Sequence, residues 1–260
     1  VTLIAIVLAW LAADLAIRRG WPPAVRVAAR WKQVQPSVLV YLRRSPVTFA
    51  YLVVLSVTTW VLLGTSDKVT NLLLLEHSTS LHELRINPVK VLIRSAFWAP
   101  GYQFLPWVLL FAIILAPAEH WLGTRRLAIV FITGHVLATI GSAIALWFAI
   151  RYNWAPKSLQ VTTDVGVSYG FASVAAIFTF RLPSRWRWLW AVTLIGIGLA
   201  ALFIGQGFDD VGHLLAIAIG FALYPLTRGM SVRSRDATPI WSTRVFDRLA
   251  GEGRADHRGD

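Results

Sequence analysis

The 260-residue chain contains no cysteine, which excludes disulfides, thiolate metal sites and cysteine nucleophiles. Charge is scarce at 15%, and acidic charge scarcer still, with 13 Asp and Glu against 25 Lys and Arg. There is no internal repeat and little charge inside the apolar runs, which disfavours a small transporter. What is abundant is apolar: 56% hydrophobic residues and 13 tryptophans, more than a soluble domain of this size keeps from water. Several runs approach the roughly 20 residues that cross a bilayer as a helix. The chain is therefore read as an all-α polytopic membrane protein embedded in a lipid bilayer. The net charge of +12 is then topology, because Lys and Arg collect on cytoplasmic loops, and no nucleic-acid partner follows from it.

An apolar run over residues 2–17 contains Asp14 and ends at Arg18 and Arg19. It leaves three readings open: a seventh spanning helix, an interfacial helix, or an artefact of start choice, since Val1 occupies the initiator position. Residues 18–47 carry Arg18, Arg19, Arg26, Arg30, Lys32, Arg43 and Arg44 with no acid, a cytoplasmic signature. Spanning helices are then expected at about 48–64, 102–118 (with Pro106 and Pro117), 127–149, 168–180, 188–205 and 211–226. The segment 65–100 mixes charge with many Leu, Val and Phe, as a loop lying partly in the membrane interface would. Residues 227–260 have the composition of a disordered tail. Assigning loops to alternate sides places about three-quarters of the Lys and Arg on the inner side. The expected layout is an N-terminal segment (1–47), a six-helix core (48–228) with both ends cytoplasmic, and a polar cytoplasmic tail (229–260).

This topology places the run TTDVGVSYGF, residues 162–171. The apolar stretch from Ser168 to Phe180 is too short to span, so at 1.5 Å per residue Ser168 lies roughly 18–20 Å above the cytoplasmic edge. In a hydrocarbon core about 30 Å thick that is below the outer surface, where irregular backbone must be buried in protein or line a watery cavity. His213, in FDDVGHLLAIAIG, reaches roughly 22 Å on a helix of the same direction. Gly166 and Gly170 are four apart, as are Gly212, Ala216 and Gly220, and small residues at this spacing let helices approach closely in lipid. A serine and a histidine brought within about 2.6–3.2 Å form a nucleophile and its base. Backbone N–H groups at the head of the short helix would face a developing oxyanion. Asp209, Asp210 and Asp164 are expected as caps or loop organisers.

The other histidines have blander assignments. His135 is expected to hydrogen-bond across helices, and His120 to be a surface residue at a basic turn. His77 and His82 flank Glu76 and Glu83, but the irregular spacing argues against a metal site. The tryptophans, Trp98, Trp107, Trp186 and Trp190 among them, are expected mainly as interfacial anchors. No metal and no cofactor is expected.

Four segments, GVSYG, GHLLAIAIG, EHWLGTRR and RSAFWAPGYQF, together resemble the rhomboid superfamily of intramembrane serine proteases over about 48–228. More narrowly, the chain is similar to rhomboid-like membrane proteins of actinobacteria. The resemblance implies a rhomboid-like six-transmembrane-helix bundle in the plasma membrane. It implies Ser168 as nucleophile and His213 as base, cleaving a transmembrane protein substrate near its outer end. Gln103 falls where the family has a helix-two histidine and offers amide donors to an oxyanion; Gly166 and Tyr169 flank the nucleophile as supporting positions. Trp107 stands in place of the family's oxyanion asparagine, Tyr169 in place of glycine, and Ala216 in place of a helix-six glycine. The alternative implied by the same resemblance is a catalytically inactive rhomboid-fold protein that binds transmembrane segments of client proteins. The oligomeric state does not follow from the sequence.

Overall fold

The computed structural model describes residues 2–99, 101–161, 167–204 and 209–230, and these are helical almost throughout. The chain parts into two units at Arg44. The first holds α1 (Thr2–Arg18) and α2 (Pro22–Arg44). Gly20, at a φ of +73°, closes α1, and the Trp21 N–H bonds back to Ala16 O at 3.0 Å, a glycine-terminated helix end. Pro22 then opens α2 at a position where no N–H is needed. The sequence placed only a basic segment here; the structure makes it a helix, with Val27, Val34, Val38 and Leu42 on the face opposite Lys32 and Arg43. Within α1, Asp14 pairs with Arg18 one turn on at 2.7 Å.

The second unit contains four helices long and apolar enough to cross a membrane. They are α3 (Pro46–Leu63), the continuous Phe104–Leu122, α9 (Thr124–Arg151) and α11 (Ser184–Ile204). Phe104–Leu122 comprises α7 (Phe104–Leu110), a π-helical turn (Phe111–Leu115) and α8 (Ala116–Leu122). Pro117 follows the π turn; its missing N–H and its ring's clash with the carbonyl four residues back favour a widened turn there. Two shorter helices, α10 (Val167–Phe178) and α12 (Asp209–Ala222), pack with α9 at the centre of the unit. Helices begin within four residues of each of the six expected starts, and among the described residues four of them are long and apolar enough to cross a membrane. The tail beyond residue 230 and the loop TTDVG (162–166) lie outside the described residues.

Most of α10 is buried, from Val167 to Ile177, whereas Gly198 is the one fully buried residue of α11. α10 is thus the hub and α11 a peripheral stave. Small residues allow this. A Cβ on Gly220 would stand 2.2 Å from Ser173 O, and one on Gly212 would stand 2.4 Å from the Tyr169 ring. Ser173 Oγ uses the proximity to donate to Ala216 O at 2.6 Å. In a medium without water such a bond replaces the hydration a hydroxyl would otherwise have.

The segment 65–100 folds as three short helices, α4 (Asp67–Glu76), α5 (Leu81–Ile86) and α6 (Pro88–Ser95). Ser80 caps α5 by accepting from Glu83 N at 3.3 Å. His135 of α9 donates to Leu92 O of α6 at 2.8 Å, so this histidine does bind across helices. Tyr51 of α3 adds a hydrogen bond from its hydroxyl to Ala96 O.

A buried carboxylate ties three helix ends together. Glu119, 1% exposed on α8, accepts from Val47 N at 3.1 Å and Thr124 Oγ1 at 2.8 Å through Oε1. Its Oε2 accepts from Thr48 N at 2.8 Å and Thr48 Oγ1 at 2.7 Å. The first N–H groups of α3, which no helix can satisfy internally, are thus capped from 71 residues away. Ser45 Oγ adds a 2.7 Å bond to Ala116 O. Gly123 makes the turn between α8 and α9 at φ +77°, ψ 154°, a region essentially reserved for glycine.

Candidate active site

Ser168 is the second residue of α10 and His213 the fifth of α12. Both are half-buried. Among the described residues no hydrogen bond joins them, and the polar atoms of neither side chain are hydrogen-bonded to another protein group. What connects the two helices at this level is Tyr169. Its ring is fully buried and lies over Gly212, where a Cβ would have no room. It meets the His213 ring edge to face, with centroids 5.0 Å apart and planes at 73°, a favoured aromatic geometry. Its hydroxyl donates to Asp209 O at 3.3 Å. The residue directly after Ser168 therefore holds one side of the imidazole.

The carboxylates at the head of α12 complete the surroundings of His213. The ligating atoms of Asp209, Asp210 and His213 all lie within 4.8 Å of one another. This grouping was missed in the sequence, where the two acids were expected only as caps; the signal available was the D-D-x-x-H spacing, which puts both one turn before the histidine. The acids do sit in the first turn of α12, where the helix dipole favours negative charge.

The remaining candidates disperse. Ala216 and Gly220 line the α10–α12 contact with Gly212. Gly170 instead faces α9, where a Cβ would come within 2.6 Å of the Phe131 ring. Gln103 stands at the residue before α7 without a side-chain capping bond to that helix and is half-buried. Trp107 packs edge-on against Phe171 at 5.6 Å and Phe111 at 5.9 Å, so its ring is a packing element beside α10. Gly166 and Asp164 lie outside the described residues. Of the other histidines, His120 is half-buried and not the surface residue expected. His77 bonds through Nδ1 to Leu73 O at 2.7 Å and rests on Trp98, while Glu76 pairs with Arg94 at 3.3 Å.

Long apolar helices, loops of short amphipathic helices and a central pair of short helices carrying serine and histidine define a multi-pass α-helical membrane protein. A family model described as rhomboid-like protein matches residues 40–233. The chain belongs to that family. Neither the curated proteins nor the solved structures gave a match.

Proposed function

We propose that this chain is a rhomboid-like intramembrane serine protease that cleaves transmembrane substrates with Ser168 and His213. In this reading α3, α7–α8, α9, α10, α11 and α12 form a six-helix bundle in the plasma membrane. Its basic ends face the cytoplasm. One observation carries the proposal. The heads of α10 and α12 are clasped by Tyr169 against Gly212 and His213, while the Ser168 hydroxyl and the imidazole keep their polar atoms uncommitted among the described residues.

The chemistry follows from those two groups. Ser168 Oγ attacks the scissile carbonyl carbon as His213 takes the hydroxyl proton. The first N–H groups of α10 face the oxygen on which charge develops. Collapse of the tetrahedral intermediate breaks the C–N bond, and His213 returns the proton to the leaving amine. Water then hydrolyses the acyl-enzyme by the same base.

A second reading, a non-catalytic protein that binds client transmembrane segments, is favoured by two observations. Ser168 and His213 are not hydrogen-bonded to each other, and Trp107 offers a packed ring where an amide would serve an oxyanion. Purified protein treated with a fluorophosphonate or isocoumarin probe distinguishes them. Protease chemistry requires labelling of wild type, none of Ser168→Ala, and labelling slowed about 10²–10⁴-fold in His213→Ala. Equal labelling of wild type and Ser168→Ala, or none in either, would leave the binding protein as the better account.

A further inference from the structure

No residue of α2 (Pro22–Arg44) is buried. At about 100° per residue, Val27, Trp31, Val34, Val38, Tyr41 and Leu42 fall within one arc of the helix wheel. Val27 is 68% and Trp31 55% exposed, so this stripe has no protein cover among the described residues. Arg26, Arg30 and Arg44 lie round one side of it and Lys32 and Arg43 farther round the other, and the helix carries no acid. A contiguous exposed apolar stripe marks an interaction surface. We infer that α2 docks on a bilayer surface containing anionic phospholipid, with the stripe at the acyl boundary and the cations among the phosphates.

The covalent chain brings α2 to a membrane. Only Ser45 separates Arg44 from Pro46, the first residue of α3, and two residues reach at most about 7 Å. Because α3 is long and apolar enough to cross a bilayer, one end of α2 is held near the level where that bilayer begins. On the other side of α2, the helix α1 is apolar apart from Thr2 and the Asp14–Arg18 pair. The cations Arg26, Arg30, Lys32, Arg43 and Arg44 make α2 itself unfit to span. Standing off the surface, its 23 residues would carry the stripe up to about 34 Å into water. Lying on the surface, the same residues enter the hydrocarbon boundary, as those of an interfacial helix do.

Charge selects the lipid. A zwitterionic surface would accept the stripe but leave the cations of α2 without a counter-charge. Anionic headgroups supply one, at about fivefold in binding for each Lys or Arg near the surface. The long arginine and lysine stems also let the charged ends stay at headgroup level while the stripe lies deeper. A nucleic acid would satisfy the cations and leave the stripe in water. An apolar protein surface would do the reverse.

The test uses the full chain in vesicles of phosphatidylcholine with increasing phosphatidylglycerol. The absence of native cysteine lets one fluorophore be placed by Val34→Cys, in the stripe, or by Gln33→Cys, on the far side of the helix. A nitroxide on the lipid acyl chain should quench the label at 34, increasingly so as the phosphatidylglycerol fraction rises, while the label at 33 stays open to aqueous iodide. Adding Arg26→Gln, Arg30→Gln and Lys32→Gln to the Val34→Cys chain should lower the docked-to-undocked ratio about a hundredfold, and high salt should act in the same direction. Equal access of iodide to both positions in phosphatidylglycerol vesicles overturns the docking. Acyl-chain quenching at 34 that is as strong in phosphatidylcholine alone removes the role of charge and overturns the proposal, whether or not the triple variant folds. Protection of position 34 from both quenchers would place protein over the stripe and overturn it equally.

Discussion

The clasp at Glu119 yields a prediction with an internal control. Each carboxylate oxygen receives one backbone N–H and one hydroxyl: Val47 N and Thr124 Oγ1 on Oε1, Thr48 N and Thr48 Oγ1 on Oε2. Glu119→Gln converts one of the two into an amide donor. The hydroxyl on that side can rotate and accept from it, but the backbone N–H cannot, so one buried N–H is orphaned whichever way the amide turns. That costs about 1–3 kcal/mol. Glu119→Ala orphans both N–H groups at the head of α3 and opens a void, for about 3–5 kcal/mol. For a domain of this size each kcal/mol moves Tm by about 2–4 °C, so the drops are about 2–12 °C for glutamine and about 6–20 °C for alanine. Thermal unfolding in a single mild detergent, followed by tryptophan fluorescence, measures both. A glutamine variant as stable as wild type, or as unstable as the alanine variant, would refute the reasoning.

Gly123→Ala isolates backbone strain, since a Cβ there meets nothing within 4 Å while its backbone stays in a glycine-only region. The expected loss is about 1–3 kcal/mol, read in the same assay. Gly212→Ala puts a methyl against the Tyr169 ring and should cost about 1–3 kcal/mol through overpacking. Tyr169→Leu in the same chain should recover part of that loss, a coupling that a double-mutant cycle detects. Tyr169→Phe keeps the ring on His213 and gives up only the 3.3 Å bond to Asp209 O, so serine-probe labelling should persist in Tyr169→Phe and fail in Tyr169→Ala.

The long helices were legible because a spanning helix is hydrophobic nearly all round and needs no partner to be recognised. The start of α10 at Val167 was legible for a related reason, as the apolar run simply begins there. α2 was missed because its apolar residues are dispersed among arginines, and the pattern of Val27, Val34, Val38 and Leu42 shows only when projected on a wheel. The three helices of 67–95 were missed because each is too short for periodicity to separate it from loop. At the candidate site, sequence placed Ser168 and His213 at the heads of two helices, but not Tyr169 between them. Which side chain faces a neighbour depends on the rotation of both helices, and that is set by Gly212, Ala216 and Ser173 acting together. The hydrogen-bond partners of His135 were hidden for the same reason, because they lie 40 and 43 residues away.

The clasp also sets an order of events during synthesis. α3 leaves the ribosome with its first N–H groups unsatisfied, and the carboxylate that will take them is encoded 71 residues downstream. At about 5–20 residues per second, that is a wait of roughly 4–14 s. During that interval the head of α3 must rely on water or on headgroups. The latch closes only when α8 has been made, and it then also engages Thr124 at the head of α9. The head of α3 is thus completed only after α8 has been made, by a group that belongs to the other end of the first helical hairpin.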